Sequence, residues 1–169
     1  NLGEAVREIL LGYSHQNTKL GKEAEFLLFA SARAELIREF IKPELEGGKS
    51  IILDRFSASS IAYQGFGNQV DLKIIDQVNL FASDGLRPDK VIILEIDPTL
   101  ALDRLRGPAD RFEKLGIPFF DKVRKGYSYY AKSNSDIVSV IDGQLSEKAV
   151  FEQIVAEIDN LFEINHSQG

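Results

Sequence analysis

The chain has 169 residues, 44% of them apolar and 27% charged. That is ordinary usage for one globular domain, and it excludes a disordered, collagen-like or low-complexity chain. Lysine and arginine number 20 against 26 acidic residues, a net charge of −6, which argues against a nucleic-acid-coating protein while leaving room for a local basic pocket. Cysteine is absent and histidine occurs twice, at His15 and His166, so disulfides, thiolate metal sites, cysteine nucleophiles and a structural zinc site are not expected. No apolar run approaches the roughly 20 residues of a membrane span. No basic-then-apolar leader opens the chain, which reads as cytoplasmic.

Asn1-Leu2-Gly3-Glu4 fits a helix-capping pattern, and Leu2, Ala5, Val6, Ile9 and Leu10 follow it as a helical stripe. Residues 12–20 are polar and loop-like. A long helix is predicted over 22–46, with Phe26, Phe29, Leu36, Ile37, Phe40 and Ile41 apolar, a kink or last turn at Pro43 and a stop at Gly47-Gly48. Three short apolar runs follow: Ile51–Leu53, Val91–Leu94 and Ile137–Ile141. None alternates apolar with polar, so each reads as a strand buried on both faces. Helical patterns at 57–64, 71–82, 99–106, 118–132 and 147–162 surround them. The fold class this implies is α/β, one domain over 1–169, with a parallel sheet and helices on both faces.

Each of these strands ends in polar residues: Asp54-Arg55, Asp97 and Asp142-Gly143. In open parallel sheets that edge binds ligands. The most informative stretch runs from Asp54 to Gly65, DRFSASSIAYQG. Arg55 suits an anionic phosphate, because a guanidinium donates two hydrogen bonds in one plane. Asp54 suits a magnesium ion, directly or through water. Ser60 and Gln64, four apart, share a helical face, and an amide matches a pyrimidine edge where N–H adjoins C=O. The competing reading is a buried Asp54–Arg55 ion pair closing a strand, with solvated Ser and Gln.

Phe29 and Arg33 are likewise four apart, so an aromatic face and a cation point the same way. They suit a stacked base with a cation at its edge, or else a core aromatic with a solvated arginine. Residues 104–116 hold Arg104, Arg106 and Arg111 around Gly107-Pro108. They form either a lid over phosphates or a charged surface loop.

Taken together, these segments resemble the thymidylate kinase (dTMP kinase) family, bacterial type. The DR[YF]-x-x-S-S-x-A-Y-Q-G signature matches Asp54–Gly65. Leu27-Leu28-Phe29-Ala30 with Arg33 resembles the LLFAA-x-R helix. The LGE-x-x-R-x-x-LL helix matches Leu2–Leu11, with Arg7 as its arginine. GL-x-PD matches Gly85–Asp89, and the lid and following helix match Asp110–Glu113 with Val123, Arg124 and Tyr127. The similarity covers nearly the whole chain in one order. It implies a P-loop kinase-like fold, a nucleoside monophosphate kinase domain, and transfer of the γ-phosphoryl group of ATP to dTMP with Mg2+. By match, Phe29 would stack on thymine, and Arg33, Ser60 and Gln64 would read its edge. Tyr63 would sit against the sugar. Arg55 would hold the acceptor phosphate with Arg7 nearby, Asp54 would place magnesium, and Arg106 and Arg111 would be lid arginines. The partners implied are small-molecule dTMP and a second copy in a homodimer, with no nucleic acid and no membrane.

The family's first strand and its G-x-x-x-x-G-K-[ST] phosphate loop are not in this chain. Gly47-Gly48-Lys49-Ser50 has the final letters but precedes a strand instead of following one, so it is not that loop. The first strand would lie centrally in the sheet. The chain opens at Asn1 and contains no methionine, so the expectation is that a strand–loop–helix–strand unit of about 40 residues precedes Asn1 in the natural protein. The rival functions are another deoxynucleotide or nucleoside kinase, and a non-catalytic nucleotide-binding or dimerisation relative.

Overall fold

The computed structural model describes residues 2–15, 20–104 and 112–166. The predicted cap at Asn1 and the lid arginines Arg106 and Arg111 lie outside them. The chain divides into two compact units, Asn1–Arg87 and Pro88–Gly169.

The first unit is helical: α1 Leu2–His15, α2 Lys22–Leu36, α3 Lys42–Glu46, a single turn α4 Ser57–Ser59 and α5 Leu72–Ala82. Val6 and Leu10 of the α1 stripe are buried, whereas Leu2 and Ile9 stay exposed. The predicted 22–46 helix is continuous in space, but Ile37–Ile41 between α2 and α3 is π-helical. Pro43 explains the widened turn: it lacks an N–H, and its ring would clash with a carbonyl one α-turn back. Phe26, Ile37 and Ile41 face the core, while Leu36 and Phe40 are exposed. Gly47 and Gly48 end the helix, with Lys49 N closing back on Glu44 O at 3.1 Å and Gly48 at φ 78°. Lys49 pairs with Glu44, so the Gly-Gly-Lys-Ser stretch is a helix stop.

The predicted strand at 51–53 is not a strand. Ile52 is 89% exposed and no described strand of this unit pairs with it. An apolar run becomes a strand only when a second backbone fills its hydrogen bonds. The predicted helix at 57–64 is α4 followed by eight π-helical residues, Ser60–Gly67. The turn is closed by Asn68 N on Tyr63 O, an i→i+5 bond of 2.9 Å. Gly65 admits α5 here: a Cβ would meet Leu72 Cδ2 at 2.6 Å and Ile75 Cδ1 at 3.2 Å. Asp71 caps α5, accepting from Lys73 N and Ile74 N.

The second unit holds β1 Val91–Glu95, α6 Pro98–Arg104, a 3₁₀ turn Glu113–Leu115, α7 Ile117–Ser133, β2 Val138–Asp142 and α8 Glu147–His166. β1 and β2 pair in parallel, Val91 opposite Val138 through Glu95 opposite Asp142. A parallel pair needs a long crossover, which α6 and α7 supply. The strands are less covered than predicted. Ile93 and Ile141 are buried, but Leu94 and Val140 are about half exposed, because in a two-stranded sheet both strands are edges. Arg104 donates to the carbonyls of Gly143 and Gln144 at 2.8 and 3.2 Å, tying α6 to the turn after β2.

Lys90, at the foot of β1, pairs with Glu157 of α8 at 2.6 Å. Ser139 of β2 donates to the same carboxylate at 2.7 Å. Both hold the Glu157 carboxyl below its ordinary 4.5. A carboxylate depressed in the folded state adds stability above its ordinary value, and that stability disappears as pH falls through the folded value. Glu157→Gln is therefore expected to flatten the acid limb of stability. Urea midpoints measured at about pH 6 and about pH 3.5 should differ less in the variant than in the parent.

Candidate functional site

Three residues spaced by four, Glu25, Phe29 and Arg33, lie along one face of α2. The outer two are opposite charges, and both reach the π-helical segment. Arg33 Nη2 donates to Ser60 Oγ at 2.6 Å, and Gln64 Nε2 donates to Glu25 Oε1 at 3.1 Å. The order is antiparallel, with 33 against 60 and 25 against 64. Phe29, half-buried, stands on the stripe between the two links.

Each link is reinforced. Arg33 Nη1 donates to Asn79 Oδ1 of α5 at 2.5 Å, and the Phe56 ring lies 5.5 Å from its guanidinium carbon. Burial pushes the Arg33 guanidinium down to about 10, which leaves it charged at neutral pH. Glu25, only 6% exposed, accepts a second hydrogen bond from Asn68 Nδ2 at 3.2 Å. A buried charge costs several kcal/mol unless it is paired or hydrogen-bonded. These partners meet that requirement and fix the side chains at the same time.

Gln64 is 4% exposed, and its Oε1 accepts no hydrogen bond among the described residues. Leaving an acceptor buried and unmade costs about 1–3 kcal/mol. Ser60, 2% exposed, accepts from Arg33 and keeps its own hydroxyl proton to donate.

Asp54 and Arg55 are both exposed, so the alternative of a buried ion pair closing a strand does not hold. Arg55 has φ 71°, the left-handed region that a non-glycine residue enters at a cost of about 1–2 kcal/mol. Its guanidinium carbon lies 5.0 Å from the centre of the Tyr63 ring, and Tyr63 is itself buried. Arg55, Tyr63, Ser60 and Gln64 thus belong to one continuous stretch, and the latter two meet α2. Arg7 sits on the exposed surface of α1, with no hydrogen bond to the other candidates among the described residues.

Magnesium usually takes one or two carboxylates plus waters and substrate phosphates. Asp54, an exposed carboxylate beside Arg55, fits that donor set, although no cluster of three metal-ligating side chains occurs among the described residues. Sequence reasoning missed Glu25, Asn68, Asn79 and Phe56. The Glu25–Phe29–Arg33 spacing was visible. The partners of Glu25 and Arg33 lie between 23 and 46 positions away in the chain and left no local signal.

The thymidylate kinase family model matches residues 1–154. Thymidylate kinase of Thermosipho melanesiensis is 39% identical over 163 residues, covering 96% of this chain and 79% of that protein. That of Trichodesmium erythraeum is 43% identical over 159 residues, covering 93% and 70%. The crystal structure of thymidylate kinase from Ehrlichia chaffeensis superposes with a TM-score of 0.73 at 30% identity, covering 94% of this chain and 74% of that one. The fold is therefore of the P-loop kinase-like α/β class, as the sequence implied. Within that class the chain belongs to the thymidylate kinase family, whose members are phosphoryl-transferring kinases.

The left-handed backbone at Arg55 makes a stability prediction. Arg55→Ala keeps the strain and loses the stack on Tyr63, whereas Arg55→Gly relieves the strain. The glycine variant is expected to be the more stable of the two by about 1 kcal/mol in urea denaturation. An alanine variant of equal or greater stability would show that the conformation is unstrained.

Proposed function

We propose that this chain binds dTMP on the face formed by α2 and the π-helical segment, and that it serves transfer of the ATP γ-phosphoryl group to dTMP, giving dTDP. The observation that carries this reading is the ordered polar array around Phe29. A buried amide with an unused acceptor stands at one end, and a serine hydroxyl held by a buried arginine at the other. A thymine ring stacked on Phe29 would meet both. Its N3–H would supply the proton that Gln64 Oε1 lacks, and its carbonyls would accept from Ser60, Arg33 and the second N–H of Gln64.

Arg55, at the exposed start of this stretch, would hold the acceptor phosphate. Tyr63 would face the sugar, and Arg7 would add positive charge nearby. The phosphate is an oxyanion at neutral pH and attacks the γ-phosphorus without a general base. The bond from that phosphorus to the β-bridging oxygen breaks, and ADP leaves. Arg55 would offset the repulsion between the two anions, so positioning and charge neutralisation supply the catalysis. Asp54 would hold Mg2+, which when bound neutralises charge on the phosphates. Arg106 and Arg111, in the proposed lid at 104–116, would act on the transferring group.

A homodimer and a cytoplasmic location accompany this reading. The exposed Leu36 and Phe40 supply apolar surface for a second copy to cover. No described helix is long and apolar enough to cross a membrane.

The test is an acceptor panel of dTMP, dUMP, dCMP and thymidine, read by calorimetric binding to this chain and by ATP-dependent phosphorylation with the complete gene product. Strongest binding and turnover of dTMP are expected, and Arg55→Ala should lower kcat at least about 100-fold. Preference for thymidine would make it a nucleoside kinase. Binding without turnover would make it a non-catalytic relative.

A further inference from the structure

The Glu25–Gln64 contact settles something the ligand reading leaves open, namely which way the Gln64 amide points. A glutamine amide can present either its oxygen or its nitrogen to a given neighbour. Here the neighbour is a carboxylate oxygen, which accepts from Gln64 Nε2 at 3.1 Å and from Asn68 Nδ2 at 3.2 Å. A flipped Gln64 would set its carbonyl oxygen against that carboxylate, two acceptors facing one another in a buried place. Glu25 and Gln64 are 6% and 4% exposed, so water would not relieve the clash, and such a mismatch is costly at low dielectric.

We infer that Glu25 is a specificity-determining positioning residue: by holding the nitrogen of Gln64, it commits Oε1 and the second N–H to the ligand and so selects pyrimidines that carry a hydrogen on N3. The inference rests on the proposed binding of dTMP beside Gln64. Thymine and uracil present acceptor, donor, acceptor along that edge. Cytosine presents an acceptor at N3 and a donor amine at C4. The fixed amide complements the first pattern and opposes the second, and the flipped amide would do the reverse. Rejection of cytosine thus comes from Glu25, which does not itself touch the base and acts through an amide on a separate helical segment.

The experiment is calorimetric binding of dTMP, dUMP and dCMP to the unaltered chain, to Glu25→Gln and to Gln64→Ala. The glutamine variant keeps the size of the side chain and can donate to a flipped Gln64 oxygen, so both orientations become available. The ratio of dTMP to dCMP affinity is expected to fall at least about tenfold, chiefly through tighter dCMP binding, and dUMP should follow dTMP. Equal weakening of all three ligands would mean that Glu25 is merely structural, and would overturn the inference. Gln64→Ala separates the two levels. If it abolishes the discrimination and Glu25→Gln does not, the positioning role alone fails. If it leaves the discrimination intact, or if the unaltered chain does not bind dTMP, base reading by Gln64 fails as well. Should Glu25→Gln not fold, the Gln64 side-chain NH2 protons of the unaltered chain decide. Both are expected to be protected from exchange when dTMP is bound, and rapid exchange of both would overturn the inference.

Discussion

Two opposite charges on one face of α2, Glu25 and Arg33, enter a largely apolar interface and have to be matched there. Everything around the site follows from how that is done. Each charge finds a polar group on the π-helical segment, at Gln64 and Ser60, and a second beyond it, at Asn68 just past the segment's end and at Asn79 of α5. A greasy helix pair can slide or rotate by a fraction of a turn at little cost, because apolar contacts have no direction. A pair joined by two directional links eight residues apart on α2 cannot. Phe29 gains a fixed position because the residues one turn either side of it are anchored.

The site combines a buried end, tied to α2, with an end that lies open to solvent. Ser60, Tyr63 and Gln64 are buried, whereas Asp54 and Arg55 are open to solvent. That division suits a ligand with a flat heterocycle and an anionic tail. The heterocycle needs a dry, shaped slot in which hydrogen bonds discriminate strongly. An anionic tail would meet the exposed Arg55 guanidinium. The left-handed residue at the junction turns the chain from one environment to the other within a single position.

Much of this was readable in the sequence, for identifiable reasons. Helices α1, α2, α5, α7 and α8 carry long periodic patterns with clear caps or stops, and those patterns depend only on neighbours in the chain. The Asp54–Gly65 stretch stood out in the sequence because its residue types converge on one chemistry, and the structure sets its Ser60 and Gln64 against α2. Ile51–Leu53 misled because strand formation is a property of two backbones, and periodicity reports on one. Leu94 and Val140 misled for the same reason, since burial of a strand face depends on what lies beside it. Glu25 escaped notice because a glutamate near a helix start, like its neighbour Glu23, is usually a solvated, dipole-matching residue. Its burial comes from Gln64 and Asn68, far along the chain.

The π-helical segment has a consequence for comparing relatives of this chain. Such a turn is what results when an ordinary helix absorbs one extra residue without unwinding. Deleting any one position between Ser60 and Gly67 would let the segment relax to the tighter form, and every later side chain would swing by about 100° around the axis. A single-residue gap at this point in an alignment is therefore no harmless trimming. Where the missing position lies ahead of Gln64, as at Ile61, the amide would swing away from its carboxylate although the named letters of the motif remain.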